Sequence, residues 1–218
     1  MITIGIDEAG RGPVIGPMTI AGIGFDEVIA EKFKKIGVKD SKLLSIKKIY
    51  LLEREIINTT KNSMIIKVSP KDIDERFSTA KNLNYLEIDK MILIAKKLEG
   101  EKVIVDSPSK NTEKIRKYLQ DRIKDKVVIA ENYADKNHIE VSAASILAKA
   151  EREREVSNIK KIFNYDFGSG YPSDPKTIAF LDIIRKNGKI EQEPYSTLIR
   201  KSWYTIKKSK DEDLKLFT

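Results

Sequence analysis

Asp7 and Glu8 stand side by side directly after the apolar run at residues 2–6. Neighbouring carboxylates repel and raise one another's pKa unless a cation lies between them. Hard divalent ions such as Mg²⁺ and Mn²⁺ prefer carboxylate oxygens, so the pair reads as part of a metal site. Gly10-Arg11-Gly12 follows at once. Its glycines let the backbone approach a ligand closely, and the arginine fork matches phosphate. Metal-binding acids beside a phosphate-sized cradle point to phosphodiester chemistry. The plain alternative is a polar turn after a strand.

Two further acids bear on that choice. Asp106 closes Val103-Ile104-Val105-Asp106-Ser107-Pro108, which places it at the carboxyl end of a buried strand, the edge where open α/β sheets bind ligands. If this strand runs parallel beside the first, Asp7 and Asp106 end next to each other. Asp135, in Tyr133-Ala134-Asp135, comes shortly after the fifth strand and could reach the same edge. Three or four carboxylates there would hold two divalent ions roughly 4 Å apart, the arrangement for in-line displacement at phosphorus. Taken singly, Asp106 could cap a following helix and Asp135 could be an exposed loop acid. Together with Asp7 and Glu8 they favour a site. Nucleophilic catalysis is poorly supported, because His138 is the only histidine and no Gly-x-Ser-x-Gly elbow is present. His138 reads as a surface or supporting residue. A P-loop is excluded by the missing GxxxxGK[ST] pattern.

The elements that must position these acids follow from periodicity. Strands are expected at residues 2–6, 18–25, 63–68, 102–105 and 127–130. Helices are expected around Ile49, Leu52 and Ile56, around Leu86, Met91 and Ile94, around Ile115, Leu119 and Ile123, and over residues 141–160. Strands alternating with helices predict an α/β sheet. The 218 residues suffice for one domain with an appendage, here divided as a catalytic domain over residues 1–165 and a basic helical lobe over 166–218. Within the lobe, Ile199, Trp203 and Ile206 recur at helical spacing, and Arg200, Lys201, Lys207 and Lys208 are placed to grip duplex phosphates. The acidic stretch Asp211-Glu212-Asp213 is expected to fray.

Composition narrows the class. With 41 Lys+Arg against 33 Asp+Glu the net charge is +8, which favours polyanionic partners. There are no cysteines, so disulfides, thiolate zinc and a cysteine nucleophile are excluded. No apolar run is long enough to span a membrane and no secretory signal is apparent, so a cytoplasmic protein is the default.

Taken in order, five segments resemble ribonuclease HII, the type 2 ribonuclease H, in its archaeal form. They are residues 7–17, Asp40-Ser41-Lys42, Val105-Asp106-Ser107-Pro108, Tyr133-Ala134-Asp135 leading into residues 141–149, and residues 168–175. The resemblance implies a ribonuclease H-like fold, a mixed five-stranded sheet flanked by helices, with a small helical C-terminal lobe. It implies endonucleolytic cleavage of RNA in RNA–DNA hybrids and 5′ of ribonucleotides embedded in duplex DNA, leaving 3′-hydroxyl and 5′-phosphate. Asp7, Glu8, Asp106 and Asp135 match the family's metal-binding catalytic acids, with Mg²⁺ or Mn²⁺ as cofactor. Gly10, Arg11 and Gly12 match its reader of the ribose 2′-hydroxyl, the group that distinguishes RNA from DNA. Tyr171 matches its junction-sensing tyrosine, and Lys42, Ser142, Ser145 and Lys149 match positions near the phosphate backbone. Ser142 and Ser145 share a face at a helix start, with Lys149 one turn on. The segment from Lys136 to Val141 is less typical than its flanks. The enzyme is expected to be a monomer. No sliding-clamp partner is inferred, because the final Leu214-Lys215-Leu216-Phe217-Thr218 lacks a glutamine-led aromatic pattern. Rival readings are another nuclease of the same fold, such as a junction resolvase, and a nucleic-acid-binding module without chemistry.

Overall fold

The computed structural model of the chain describes residues 1–39, 44–76, 82–203 and 205–206. Asp40-Ser41-Lys42, Lys207, Lys208 and the C-terminal tail therefore lie outside the described residues. The strands are β1 (Thr3–Ala9), β2 (Met18–Phe25), β3 (Ser63–Val68), β4 (Lys102–Asp106) and β5 (Val127–Glu131). The helices are α1 (Glu27–Ile36), α2 (Ile46–Thr59), α3 (Pro70–Glu75), α4 (Leu83–Lys97), α5 (Thr112–Gln120), α6 (Ala134–Asn137), α7 (Ile139–Phe163), α8 (Pro175–Lys186) and α9 (Tyr195–Leu198). The chain folds as two compact units. The first is Met1–Ala9, Thr19–Lys67 and Asn82–Glu151, and the second is Gly10–Met18 with the described parts of 68–81 and 152–218.

In the first unit the five strands make one mixed sheet in the order β3-β2-β1-β4-β5. β1 runs antiparallel to β2 and parallel to β4, and β4 runs parallel to β5. The strands stand where alternation and apolar runs predict them. β2 is buried along its whole length, and Ile4, Ile6, Val103, Ile104 and Val105 are all buried. α7 lies close on this sheet because the residues at the approach are small. A Cβ on Gly5 would collide with the backbone of Glu140 and Val141. On α7 itself Ala143, Ala144, Ala148 and Ala150 are buried, with Ile146 and Leu147 among them. Such close packing fixes the first turns of α7 over β1.

Expected and observed helices agree at α2, α4 and α7. α5 stops at Gln120, so Ile123 packs from the turn beyond it, its N–H bonded to the Leu119 carbonyl at 2.9 Å. α1 was not among the expected helices. Its signals are local and short: Asp26 caps the Ile29 N–H at 3.0 Å, Ala30 and Phe33 form the buried face, and Gly37 ends it at φ 88°.

The second unit has its own apolar cluster, in which Val14, Ile15, Val156, Ile159 and Phe163 meet Phe167, Phe180, Leu181, Ile184, Ile199 and Ile206. It joins residues 10–18 and α3 to the chain from Arg152, part-way along α7, onward. The reason is long-range pairing: Ile15 bridges Ile199, and Gly170 accepts the Val14 N–H at 2.8 Å. Among the described residues, the helix expected across 199–206 does not run continuously; only 205 and 206 are helical. Ile199 is extended (φ −112°, ψ 134°) to pair with Ile15, and turns follow at residues 201–203. Ile199, Trp203 and Ile206 do pack on one apolar cluster, but from an extended residue, a bend and a helical residue in turn. Among the described residues no helix is long and apolar enough to cross a membrane.

Candidate active site

Strand register positions the acids. The parallel ladder of β1 and β4 ends with Ile6 beside Val105, so Asp7 and Asp106 are the next residue on each strand. Parallel strands present their carboxyl ends on one edge, where ligands bind. β1 continues to Ala9 against β2, further than its apolar run suggested, with Asp7 opposite Ala21 and Glu8 opposite Ile20. Asp7 is buried, and its Oδ1 accepts the Glu8 N–H at 2.8 Å. A hydrogen bond from Ser145, on the overlying α7, reaches the same carboxylate. Asp7's carboxyl pKa is nevertheless pushed well up. Burial is the main cause, followed by the charge of Glu8 and then that of Asp106.

Asp106 and Asp135 are joined through the backbone. Asp106 Oδ1 accepts the Ala134 N–H at 3.0 Å, and Asp135 is the next residue. Tyr133 precedes them with φ 61°, a left-handed turn that starts α6 toward β4. Asp106 does not cap the following helix; Asn111 does, accepting the Lys114 N–H at 3.0 Å. Asp135 is buried, not an exposed loop acid. His138 pairs with Glu131 at 2.9 Å, a supporting position. A cleft of about 440 Å³ opens beside Asp106, walled by Ser107, Ser109, Lys110, Asn132 and Tyr133. Lys110 and Asn132 were not singled out from sequence, where both read as ordinary loop residues.

The other expected residues divide. Ser142 is buried, its hydroxyl donating to the carbonyls of Asp135 at 2.6 Å and His138 at 3.1 Å, so it ties α6 to α7. Ser145 is buried at Asp7. Both hydroxyls face inward in this arrangement. Lys149 is half-buried one turn beyond Ser145. In the second unit, Gly10 has φ 77°, and a Cβ there would lie 2.6 Å from Arg152 Cδ, so glycine is required twice over. A Cβ on Gly12 would lie 3.2 Å from Tyr171 Cε1, which puts the half-exposed tyrosine ring against the loop. Arg200, expected to grip phosphate, is instead fully buried and bonded to backbone carbonyls; Lys201 pairs with Glu191 at 2.6 Å.

The donor set suits a hard divalent cation. A cation at this edge would remove the penalty that burial, Glu8 and Asp106 place on the Asp7 anion. Among the described residues no group of three or more acids or histidines stands at ligand spacing.

The family model for ribonuclease HII matches residues 4–206. The chain belongs to the ribonuclease HII family. A curated ribonuclease HII from Thermococcus sibiricus is 40% identical over 211 residues, covering 95% of this chain and 91% of that one. The crystal structure of ribonuclease H2 from Pyrococcus horikoshii OT3 superposes with TM-score 0.87 at 36% identity, covering 97% of this chain and 98% of that one. Ribonuclease HII from Archaeoglobus fulgidus, solved as a complex with PCNA, gives TM-score 0.83 at 39% identity, covering 93% and 95%. Bst-RNase HIII, solved with Mn²⁺, shares the fold, with TM-score 0.78 at 22% identity over 97% of this chain and 70% of that one. Members of the family are hydrolases that cleave the RNA of RNA–DNA hybrids endonucleolytically and use divalent metals, and this chain is one of them.

Proposed function

We propose that the chain cuts the RNA strand of RNA–DNA hybrids and also cuts 5′ of a single ribonucleotide embedded in duplex DNA, leaving a 3′-hydroxyl and a 5′-phosphate. The observation that carries this is the acid edge, where Asp7 and Asp106 each follow the last parallel pair of β1 and β4, and burial, with Glu8 and Asp106 close by, raises the pKa of Asp7. Asp7, Glu8, Asp106 and Asp135 are the residues that would hold two ions of Mg²⁺ or Mn²⁺. Such ions supply an activated water and offset the charge that develops on the leaving oxygen.

The chain's own residues do the rest. Ser145 orients the Asp7 carboxylate through its hydrogen bond. The Ala134 N–H holds the Asp106 carboxylate in place. Gly10, Arg11 and Gly12 read the ribose 2′-hydroxyl. Tyr171 packs against the neighbouring deoxyribose, where a second 2′-hydroxyl would crowd the ring. Lys149 lies near the phosphate backbone.

The test is cleavage of a labelled DNA duplex carrying one internal ribonucleotide, with Mg²⁺, Mn²⁺ or EDTA, beside all-DNA and all-RNA duplexes. A metal-dependent cut 5′ of the ribonucleotide with both controls intact is the expected result. Cleavage of long hybrids alone would remove the embedded-ribonucleotide activity from the proposal.

A further inference from the structure

The carbonyls of the Gly10-Arg11-Gly12 loop are all taken by two residues almost two hundred positions away. Arg200 donates from Nη2 to the Gly10 carbonyl at 2.6 Å, from Nη1 to the Arg11 carbonyl at 2.7 Å, and from Nε to the Gly16 carbonyl at 2.9 Å. Trp203 Nε1 donates to the Gly12 carbonyl at 2.9 Å. The segment that carries them is itself fixed. Ile199 bridges Ile15, and the Arg200 N–H bonds the Val14 carbonyl at 2.8 Å. The N–H groups of Lys201 and Ser202 bond the two oxygens of Asp74 at 2.8 and 3.0 Å. The Arg200 guanidinium also stacks 4.9 Å from the Trp203 ring centroid.

Desolvating a guanidinium is costly, and Arg200 is fully buried beside the buried Arg152. An apolar side chain could fill that volume but bond none of the carbonyls, whereas the planar guanidinium presents donors on three nitrogens in a fixed fork. In a trans peptide the C=O and the following N–H point opposite ways, and the loop's peptides are trans. Bonding the Gly10 and Arg11 carbonyls to Arg200 therefore turns the N–H groups of Arg11 and Gly12 away from it. Pro13 contributes no N–H after Gly12.

We propose that Arg200 and Trp203 are positioning residues for sugar recognition. By holding the three loop carbonyls they aim the Arg11 and Gly12 amides at the ribose 2′-hydroxyl. The inference rests on the ribose-reading role proposed above for this loop. It assigns to the C-terminal segment a part in substrate choice rather than in grip on the duplex.

The test uses Arg200→Lys, which keeps the charge but not the fork, and Trp203→Phe, which keeps a ring but removes one donor. Because removing a buried guanidinium threatens the fold, Trp203→Phe carries the test if Arg200→Lys does not fold. Thermal stability is measured first, then hydrogen exchange over residues 8–14. Binding of the ribonucleotide-containing and all-DNA duplexes is measured in EDTA, and kcat and KM on the former with metal. The expected result is faster exchange at Arg11 and Gly12 and a loss of binding preference for the ribonucleotide duplex. Affinity for all-DNA should stay unchanged, while kcat/KM falls about 10–100-fold, as for other positioning partners. Unchanged exchange, or activity that merely follows the folded fraction with the preference intact, would overturn the proposal. Wild-type protein that binds both duplexes equally would overturn the loop's ribose-reading role, a failure visible before any variant is made.

Discussion

At the acid edge, backbone register does the positioning. β1 and β4 pair in parallel up to Ile6 and Val105, and the next residue on each strand is a carboxylate. In the Gly10–Gly12 loop no ladder continues, and side chains hold the backbone instead, with Arg200 and Trp203 on its carbonyls and Arg152 packed beneath Gly10. The two regions follow each other along the chain, yet they fail in different ways. An acid can be neutralised without disturbing the ladder that carries it. The loop cannot be altered without disturbing its own support.

The largest effect is expected at the acid edge. Asp7→Asn, Asp106→Asn or Asp135→Asn should lower kcat by about 10³-fold or more, with thermal stability undiminished and duplex affinity kept. Single-turnover cleavage and anisotropy binding check the two halves, and near-normal turnover in any of the three would remove that acid from the site. Next in size is Gly10→Ala. At φ 77°, with a Cβ 2.6 Å from Arg152 Cδ, the variant should lose about 1–3 kcal/mol of stability. Activity should fall with it, a joint loss that the acid variants do not show. A Gly10→Ala protein that melts like wild type would mean the loop is softer than its contacts imply.

The difference in mechanism also governs what could be read from the sequence. Asp106 was legible because an apolar run followed by an acid marks a strand end, and alternation fixed which strands could lie beside it. Gly10, Arg11 and Gly12 were legible as a motif, but their support was not. Arg200 looked like one more surface cation, since charged residues are rarely buried, and its acceptors are carbonyls that every residue possesses. The helical spacing of Ile199, Trp203 and Ile206 misled for a related reason. Any path that touches one core at those three positions gives the same pattern, and the pairing of Ile15 with Ile199 is invisible at a separation of 184 residues. Ser142 and Ser145 were singled out as positions near the phosphate backbone, but their inward direction was not legible, because it depends on how closely α7 approaches Gly5.

In the loop, Arg11→Ala separates the side chain's part from that of the backbone amides. If the side chain contributes to reading the sugar, kcat/KM on the embedded ribonucleotide should fall by roughly tenfold, as for loss of one charge-assisted hydrogen bond. Discrimination against all-DNA should narrow as well. Reduced rate with full discrimination would leave the reading to the backbone amides that Arg200 and Trp203 orient.

The smallest expected effect is on stability and returns to Asp7. Its carboxyl pKa is raised in the folded protein by burial and by Glu8 and Asp106, while in the unfolded chain it stays near the usual value of about 4. Below that value both states are protonated and burial of the group carries no ionisation penalty. As pH rises from there toward the raised folded value, the folded state retains a proton that the unfolded state has released, so stability falls with pH. Asn carries no such proton. Asp7→Asn should therefore match wild type below pH 4 and gain on it toward neutral pH, read as a Tm difference that opens with rising pH. Divalent metal should then reverse the order, because an ion at the edge stabilises the Asp7 anion and has less to bind in the variant. Melting both proteins from pH 4 to 8, with EDTA and with Mg²⁺, reads each sign separately. A variant no more stable than wild type at pH 8 in EDTA would show that the crowding of acids is relieved by something other than a metal.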